Sequence, residues 1–245
     1  MKILVCVTSV PDTTTKITFT DNNTKLSKAG VTFITGPYDD YALARAVELK
    51  EKLGASVTVL NVGGVDAEPV IRKCLAIGAD DAIRVNAEPR DAFFVAEQIT
   101  AIAEENKYDL ILMGRESIDF NGGQVHGIVG EMLGIPSISP VMLLDIDGDT
   151  VKITREIEGG KEELEAKLPL VLGCQEPIAE WKIPNMRGIM TARTKPLKVV
   201  EPTGTDVLTD VSGYELPPAR GAVKMIKAEN AETLIQLLRT EAKII

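Results

Sequence analysis

Residues 109–127 read DLILMGRESIDFNGGQVHG. Residues 110–113, LILM, form a short apolar run, and 109–113 reads as a strand. A loop with four glycines follows, and a helix is expected from about Gln124 to Leu133. A strand that feeds a helix through a glycine-rich turn is the repeating unit of a parallel sheet. The question is whether the chain repeats it.

It does, four times. Residues 2–10, KILVCVTSV, read as a buried strand. Residues 39–53 read as an amphipathic helix, with Tyr41, Leu43, Ala46, Val47, Leu49 and Leu53 near helical spacing and Gly54 as the stop. Residues 56–62, SVTVLNV, give a second strand, and a helix through Val70, Ile71, Cys74 and Leu75 ends at Gly78. Residues 82–85 give a short strand, residues 91–106 a third helix, and the opening stretch completes the series. The expected fold class is α/β: a parallel, doubly wound nucleotide-binding sheet with helices on both faces. Ligands in such sheets bind beyond the carboxyl ends of the strands. Three loops qualify: residues 8–11, Gly63-Gly64, and residues 114–127.

After residue 140 the pattern changes. Asp147-Gly148 and Gly159-Gly160 are hairpin signals between alternating runs, so a β-meander is expected. A proline-rich basic segment, 182–202, follows, then a polar Pro/Gly-rich stretch and a last helix near 229–243. A tail of about 50 residues with so little regular structure reads as an extended arm with something to embrace, the alternative being a loosely packed tail on the same domain. The organisation expected is therefore an α/β domain with meander over 1–193 and a C-terminal arm over 194–245.

Composition excludes several classes. A net charge of −9 argues against nucleic acid as the main partner. No apolar run is long enough to cross a membrane, and MKILVCVTSVPD lacks a cleavage signal, so a cytoplasmic protein is expected. Three scattered cysteines and one histidine make zinc, haem and iron–sulfur sites poor readings, and no metal site is expected.

In the opening loop, Gly122 and Gly123 allow positive φ and close backbone approach by a ligand. The first amides of the following helix, with Gln124, Val125, His126 and Gly127, offer donors at the positive end of a dipole, a natural anion site. Asp119 is placed to accept from a ribose hydroxyl or to orient the loop. The loop is neither a GK[ST] phosphate loop nor a GxGxxG fingerprint, so by itself it reads equally as a plain turn. His126 has no Ser or Cys nucleophile motif beside it and reads as a first-turn helix residue at the surface or under a ligand, not as a catalyst.

Read together, these pieces resemble the β subunit of electron transfer flavoprotein. GPYDDYALARAVELKEKLG is similar to its NP[FY]DxxAxExA segment, with Gly36 for the usual Asn. RKCLAIGADDAIRV is similar to RxALAxGAD, and GRESIDFNGGQVHG to the G[KR]QAID…Q[TV]G loop. TREIEGGKEELEAKLPLVLG resembles REIDGG…LPAVV, and NMRGIMTARTKPL the stretch near the family signature. The likeness runs through the whole chain in order.

The resemblance implies a heterodimer whose larger α subunit is wrapped by the arm. It implies a redox FAD held mainly by α near the interface, and a second adenine nucleotide in this chain. That nucleotide is AMP in the common form and a second, NADH-oxidising FAD in the electron-bifurcating form. The implied function is carriage of electrons from dehydrogenases to a quinone-linked or other acceptor, an electron carrier more than a stand-alone enzyme. Bifurcation is the alternative, and a stand-alone adenine-nucleotide sensor a third reading that the long arm opposes. By match of position, Cys6, Val62 and Gly63 lie beside the adenine, and Gln124 is the phosphate-loop glutamine. Val125 falls where many AMP forms have Thr and many bifurcating forms have Val. Gly123 stands for an Asn or small residue, Phe120 and Asn121 for a small or acidic pair, and His126 for a Gly. Arg155 and Glu156 match a pair near the isoalloxazine, where an arginine would stabilise negative charge on the reduced flavin; the plain reading is an ion pair across the meander. Residues 183–192 match a loop that docks dehydrogenases, with Met186 as the apolar anchor and Ile183, Arg187 and Ile189 around it. Arg193 and Lys195 add local positive charge, and Trp181 is a further contact or a plug between meander and arm.

Overall fold

The computed structural model describes residues 1–204 and 206–245. In chain order the strands are β1 (Lys2–Cys6), β2 (Ser9–Pro11), β3 (Phe19–Thr20), β4 (Lys25–Leu26), β5 (Phe33–Thr35), β6 (Ser56–Val62) and β7 (Asp81–Val85). They continue with β8 (Leu110–Gly114), β9 (Ser137–Asp147), β10 (Thr150–Ile157), β11 (Gly160–Lys167), β12 (Leu170–Cys174) and β13 (Leu197–Val200). The α-helices are α1 (Pro37–Leu53), α2 (Glu68–Ile77), α3 (Ala92–Asn106), α4 (Val125–Leu133), α5 (Met186–Ala192) and α6 (Ala231–Leu237).

Nine strands form one sheet in the order β11-β10-β9-β12-β8-β1-β6-β7-β13. Pairing from β9 through β12, β8, β1, β6 and β7 to β13 is parallel. Because side chains alternate across a strand, each buried strand feeds two cores. Ile3, Val5, Val57, Val59, Leu110, Leu112, Leu170 and Leu172 face α1 and α2. Leu4, Cys6, Leu60, Ile83, Ile111, Met113 and Val171 face α3 and α4. This is the doubly wound α/β sheet that the alternation predicts.

Local sequence sets the helix limits. Pro37 opens α1, where its missing N–H costs nothing, and Gly54 closes it in the left-handed conformation at φ 68°. Asp91 caps α3 by accepting from Phe94 N at 2.8 Å.

The meander is where the structure departs from expectation. Only β9-β10-β11 run antiparallel. β12 returns to the parallel sheet and sits between β8 and β9, with which it pairs in parallel. The run LVLGC, buried at all five positions, has the continuous apolar pattern of a central parallel strand and not of a half-solvated meander. β13 lies past residue 193 yet joins the same sheet beside β7. The initial apolar run also divides: β1 ends at Cys6, and Ser9–Pro11 pair with β5 in a small separate sheet. The final helical region comprises α6 flanked by a 3-10 turn (Ala228–Asn230) and a π turn (Leu238–Ala242). Among the described residues no helix is long and apolar enough to cross a membrane, and no three His, Cys, Asp or Glu side chains are grouped to hold a metal.

Candidate nucleotide site

Chain order places the site. From β1 the chain moves through α1 to β6 and through α2 to β7, all to one side. It then crosses back through α3 to β8, on the other side of β1. The loops after β1 and β8 thus depart in opposite directions and leave a crevice at their carboxyl ends. A cavity of about 490 Å³ occupies it.

The crevice is held by Asp39, whose side chain is buried in the first turn of α1. One carboxylate oxygen accepts from Thr8 N at 2.8 Å and Thr8 Oγ1 at 2.6 Å, beyond β1. The other accepts from Gly114 N at 2.8 Å, at the end of β8. Asp39 therefore does not cap its own helix; it clamps the two strand ends together. Burial pushes its pKa up to about 6, although the Thr8 and Gly114 hydrogen bonds favour the charged form. The fit excludes side chains nearby: a Cβ on Gly114 would lie 2.6 Å from both Asp39 Oδ1 and Tyr38 Cβ.

The second turn is braced in the same way. Gly63 N donates to Val85 O at 3.0 Å, and Gly63 O accepts from the buried Arg84 at 3.0 Å. Asn61 Nδ2 donates to Val7 O at 2.8 Å, tying β6 to β1. Asn61 Oδ1 and Arg84 Nε are buried without a hydrogen-bond partner among the described residues. The third turn carries the glycine loop. Asn121 and Gly123 take positive φ, 49° and 57°, while Gly122 does not use the freedom its missing side chain allows. Gly122 faces open space and leaves the approach clear. The first amides of α4 have no intrahelical carbonyl to reach and present the positive end of its dipole.

The cavity brings together Cys6, Val62, Gly63, Asp119, Gly122, Gly123, Gln124, Val125 and His126, all nine of the nucleotide-site residues expected from the sequence. Its inner wall is apolar, with Cys6, Leu60, Val62, Ile99 and Met113. Burial, then the charge of Asp39, drives the Cys6 thiol far above its ordinary range, so it packs and does not ionise. Burial lowers the pKa of His126, whose Nδ1 lies 3.3 Å from Ser137 Oγ on β9. An apolar inner wall, two glycine turns and a helix N-terminus fit an adenine nucleotide, the base inward and a phosphate at α4.

Arg155, Glu156, Ile183, Met186, Arg187 and Ile189 lie outside this cavity. Arg155 Nε donates to Glu162 across the hairpin at 2.6 Å. Glu156 accepts from Gln175 Nε2 at 2.6 Å, and Gln175 Oε1 accepts from Arg115 at 3.0 Å. Arg115, in the glycine loop, also stacks over Tyr38. A polar chain thus joins the cavity to the hairpin. Met186, Ile183 and Met190 are exposed by 74%, 74% and 68%, a cluster of apolar side chains in water. The short helix that carries them is pinned to α2. Arg72 donates to Ala192 O and Lys195 O, each at 2.8 Å, and Lys195 Nζ donates to Leu75 O and Ala79 O.

Sequence reading missed Thr8, Asp39, Asn61, Arg84 and the chain through Arg115. Asp39 left one signal: two aspartates follow Pro37 where one cap suffices.

A family model for the electron transfer flavoprotein domain matches residues 24–205. The chain is 34% identical to electron transfer flavoprotein subunit beta of Bacillus subtilis, with all of both chains covered. It is 32% identical to the subunit of the same name from Homo sapiens, covering 100% of this chain and 99% of that one. For the Syntrophomonas wolfei subunit beta the identity is 33%, over 94% and 91%.

Proposed function

The chain belongs to the electron transfer flavoprotein β-subunit family, a flavoprotein component of electron transport, and from that premise we propose that it works as half of an αβ heterodimer carrying electrons between a dehydrogenase and an acceptor. The single observation behind this reading is the cavity at the β1/β8 crossover, with its apolar inner wall and the glycine loop that leads into α4.

In this reading the cavity holds AMP. The adenine rests against Cys6, Leu60 and Val62, and the phosphate takes the free amides at the start of α4 and the side chain of Gln124. Asp119 orients the loop or accepts from the ribose. The redox FAD, shared with the α subunit, supplies reversible electron uptake. This chain's residues position and tune. Arg155 stabilises negative charge near the flavin, Glu156 links it through Gln175 to the glycine loop, and the exposed Met186 cluster docks the donor. Met suits a surface that meets several partners because its flexible, polarizable side chain repacks. The arm over 194–245 wraps the α subunit with its exposed Leu216, Val223, Met225, Leu234 and Ile235.

Nucleotide content tests this. The chain is co-expressed with its α-type partner, and the purified complex is denatured and its nucleotides quantified. One FAD and one AMP per heterodimer is the expected result. Two FAD would instead favour the bifurcating reading, toward which the Gln124-Val125 pair leans, and NADH oxidation becomes the next assay. A complex with no nucleotide beyond FAD would overturn the assignment of the cavity.

A further inference from the structure

The arm does not leave the domain at once. After β13, Thr203 is held by the buried Gln98 in both directions: Thr203 N donates to Oε1 at 2.7 Å, and Nε2 donates to Thr203 O at 2.5 Å. Gln98 lies on α3 with almost no exposure, so a buried amide on the helix is satisfied by the start of the arm. Further along, Thr209, Asp210 and Val211 line the cavity at the β1/β8 crossover together with the glycine loop.

This stretch is fastened at both ends. Asp91 Oδ2 accepts from Leu208 N at 2.7 Å, Thr209 N at 2.9 Å and Thr209 Oγ1 at 3.3 Å. The other carboxylate oxygen caps α3. One side chain therefore starts a helix and latches the arm. Beyond the cavity, Tyr214 N donates to Asn23 O at 2.7 Å. The Tyr214 ring stacks on Phe19, with centroids 5.2 Å apart and planes 10° apart. Between these anchors Val211 N turns back to Asp210 Oδ1 at 2.9 Å.

We propose that residues 208–214 are the outer wall of the nucleotide cavity, a strap of the chain's own arm that sets how fast the bound nucleotide leaves. The inference rests on the nucleotide reading of the cavity and adds a wall from the arm, a region expected to serve the α subunit. The geometry favours a strap over a fixed wall. Leu208 is two-thirds exposed, and no strand or helix contains 208–214. The anchors are a few hydrogen bonds and one ring stack at the surface, which open locally without unfolding the sheet. A nucleotide seated on Cys6 and the α4 amides leaves through the side that the strap covers, so its release follows the opening of the strap.

Asp91→Ser separates the two roles of Asp91. Serine keeps the helix cap, because its hydroxyl accepts from the same amide, and removes the second oxygen that holds the strap. Tyr214→Ala opens the far anchor and leaves Asp91 intact. The full chain, complexed with its α partner, is loaded with radiolabelled AMP and chased with unlabelled AMP. Hydrogen exchange at 208–211 is followed on the same samples. Asp91→Ser is expected to release AMP roughly tenfold faster, as fits the loss of charge-assisted hydrogen bonds, and Tyr214→Ala about threefold faster, with exchange at 208–211 rising in both. If the wild type retains AMP and both variants release it at the wild-type rate, the strap is overturned while the cavity keeps its nucleotide. If the wild-type complex takes up no AMP, the cavity reading fails and the strap falls with it; exchange at 208–211 that is insensitive to AMP would mark that case. Should Asp91→Ser fail to fold, Tyr214→Ala carries the test alone.

Discussion

Two segments of similar length, residues 114–127 and 181–192, each run from a loop into a short helix, and they work in opposite ways. The first lines the cavity, with its glycines and with Arg115, Asp119, Phe120 and Gln124. Its shape is set from below by Asp39 clamping Thr8 and Gly114. The second turns its side chains to water: Trp181, Ile183, Met186 and Met190 are all exposed. Its backbone is fixed from behind by Arg72 of α2 and by Lys195, which reaches back to the end of α2. Under the proposed function the difference separates two kinds of recognition. A small anionic ligand would be met by fixed amides and glycine clearance, and a protein partner by adaptable apolar side chains on a rigid mount, which keeps the entropy lost on docking small.

The sharpest way to break the first region is Asp39→Ala. It strands three donors, Thr8 N, Thr8 Oγ1 and Gly114 N, in a buried place. With a penalty of ~1–3 kcal/mol for each unsatisfied buried group, a loss of about 3–5 kcal/mol is expected. Urea unfolding measures it, and nucleotide content should fall with it. A variant as stable as the wild type would show that the clamp is idle.

The same carboxyl sets a pH dependence of defined sign. Its folded pKa, about 6, lies above its ordinary value of 3.8. The folded state therefore binds the proton more tightly than the unfolded chain. Stability from this group is greatest below its ordinary value and is lost as pH rises through about 6. Relative to Asp39→Asn, the wild type should gain about 2 kcal/mol between pH 7 and pH 4.5. Parallel stability curves for the two proteins would exclude a proton on Asp39.

The second region is tested by its mount and its face separately. Lys195→Met removes the donor to Leu75 O and Ala79 O and should weaken electron transfer from the donor dehydrogenase by roughly tenfold, the size of one or two lost charged hydrogen bonds. Met186→Ala removes only an exposed side chain and should raise KM for the donor by about threefold to tenfold, on the scale of a modest interface residue. FAD content should stay intact in both. Equal rates in all three proteins would remove the docking role and leave 181–192 an ordinary exposed loop.

The smallest effect is expected at the hairpin that the polar chain through Arg115 joins to the glycine loop. Arg155→Ala should lower the flavin potential, and only slightly, because Glu162 opposite offsets much of the charge. An unchanged potentiometric titration would leave the cross-strand ion pair as the whole role of Arg155.

How much of this was legible beforehand varies by residue. Alternating apolar runs and glycine stops marked β1, β6, β7 and β8 and the helices after them, since burial on both faces and helical spacing are local signals. The glycine loops at Gly63 and at 119–126 were legible because they sit where strands end and glycines begin, whereas Cys6 and Val62 came only from the match to the family. Asp39 was legible only as a helix-start residue. Its partners Thr8 and Gly114 stand 31 and 75 positions away, a spacing no period encodes. Arg155 was read as either a flavin neighbour or an ion pair, and the ion pair with Glu162 is present.

The sequence by itself determined a doubly wound α/β sheet and marked the loops at the carboxyl ends of its strands, because each is written in residues close together in the chain. Tertiary structure alone decided that β12 inserts between β8 and β9, that β13 closes the far edge, and that the arm latches to Asp91 across the cavity. The strand pairings join backbone groups 33 to 115 residues apart, and the latch joins backbone amides to a carboxylate 117 and 118 residues away. Backbone donors and acceptors are the same at every residue, so the choice among them is made by the packing of the whole sheet and leaves no mark in the local sequence.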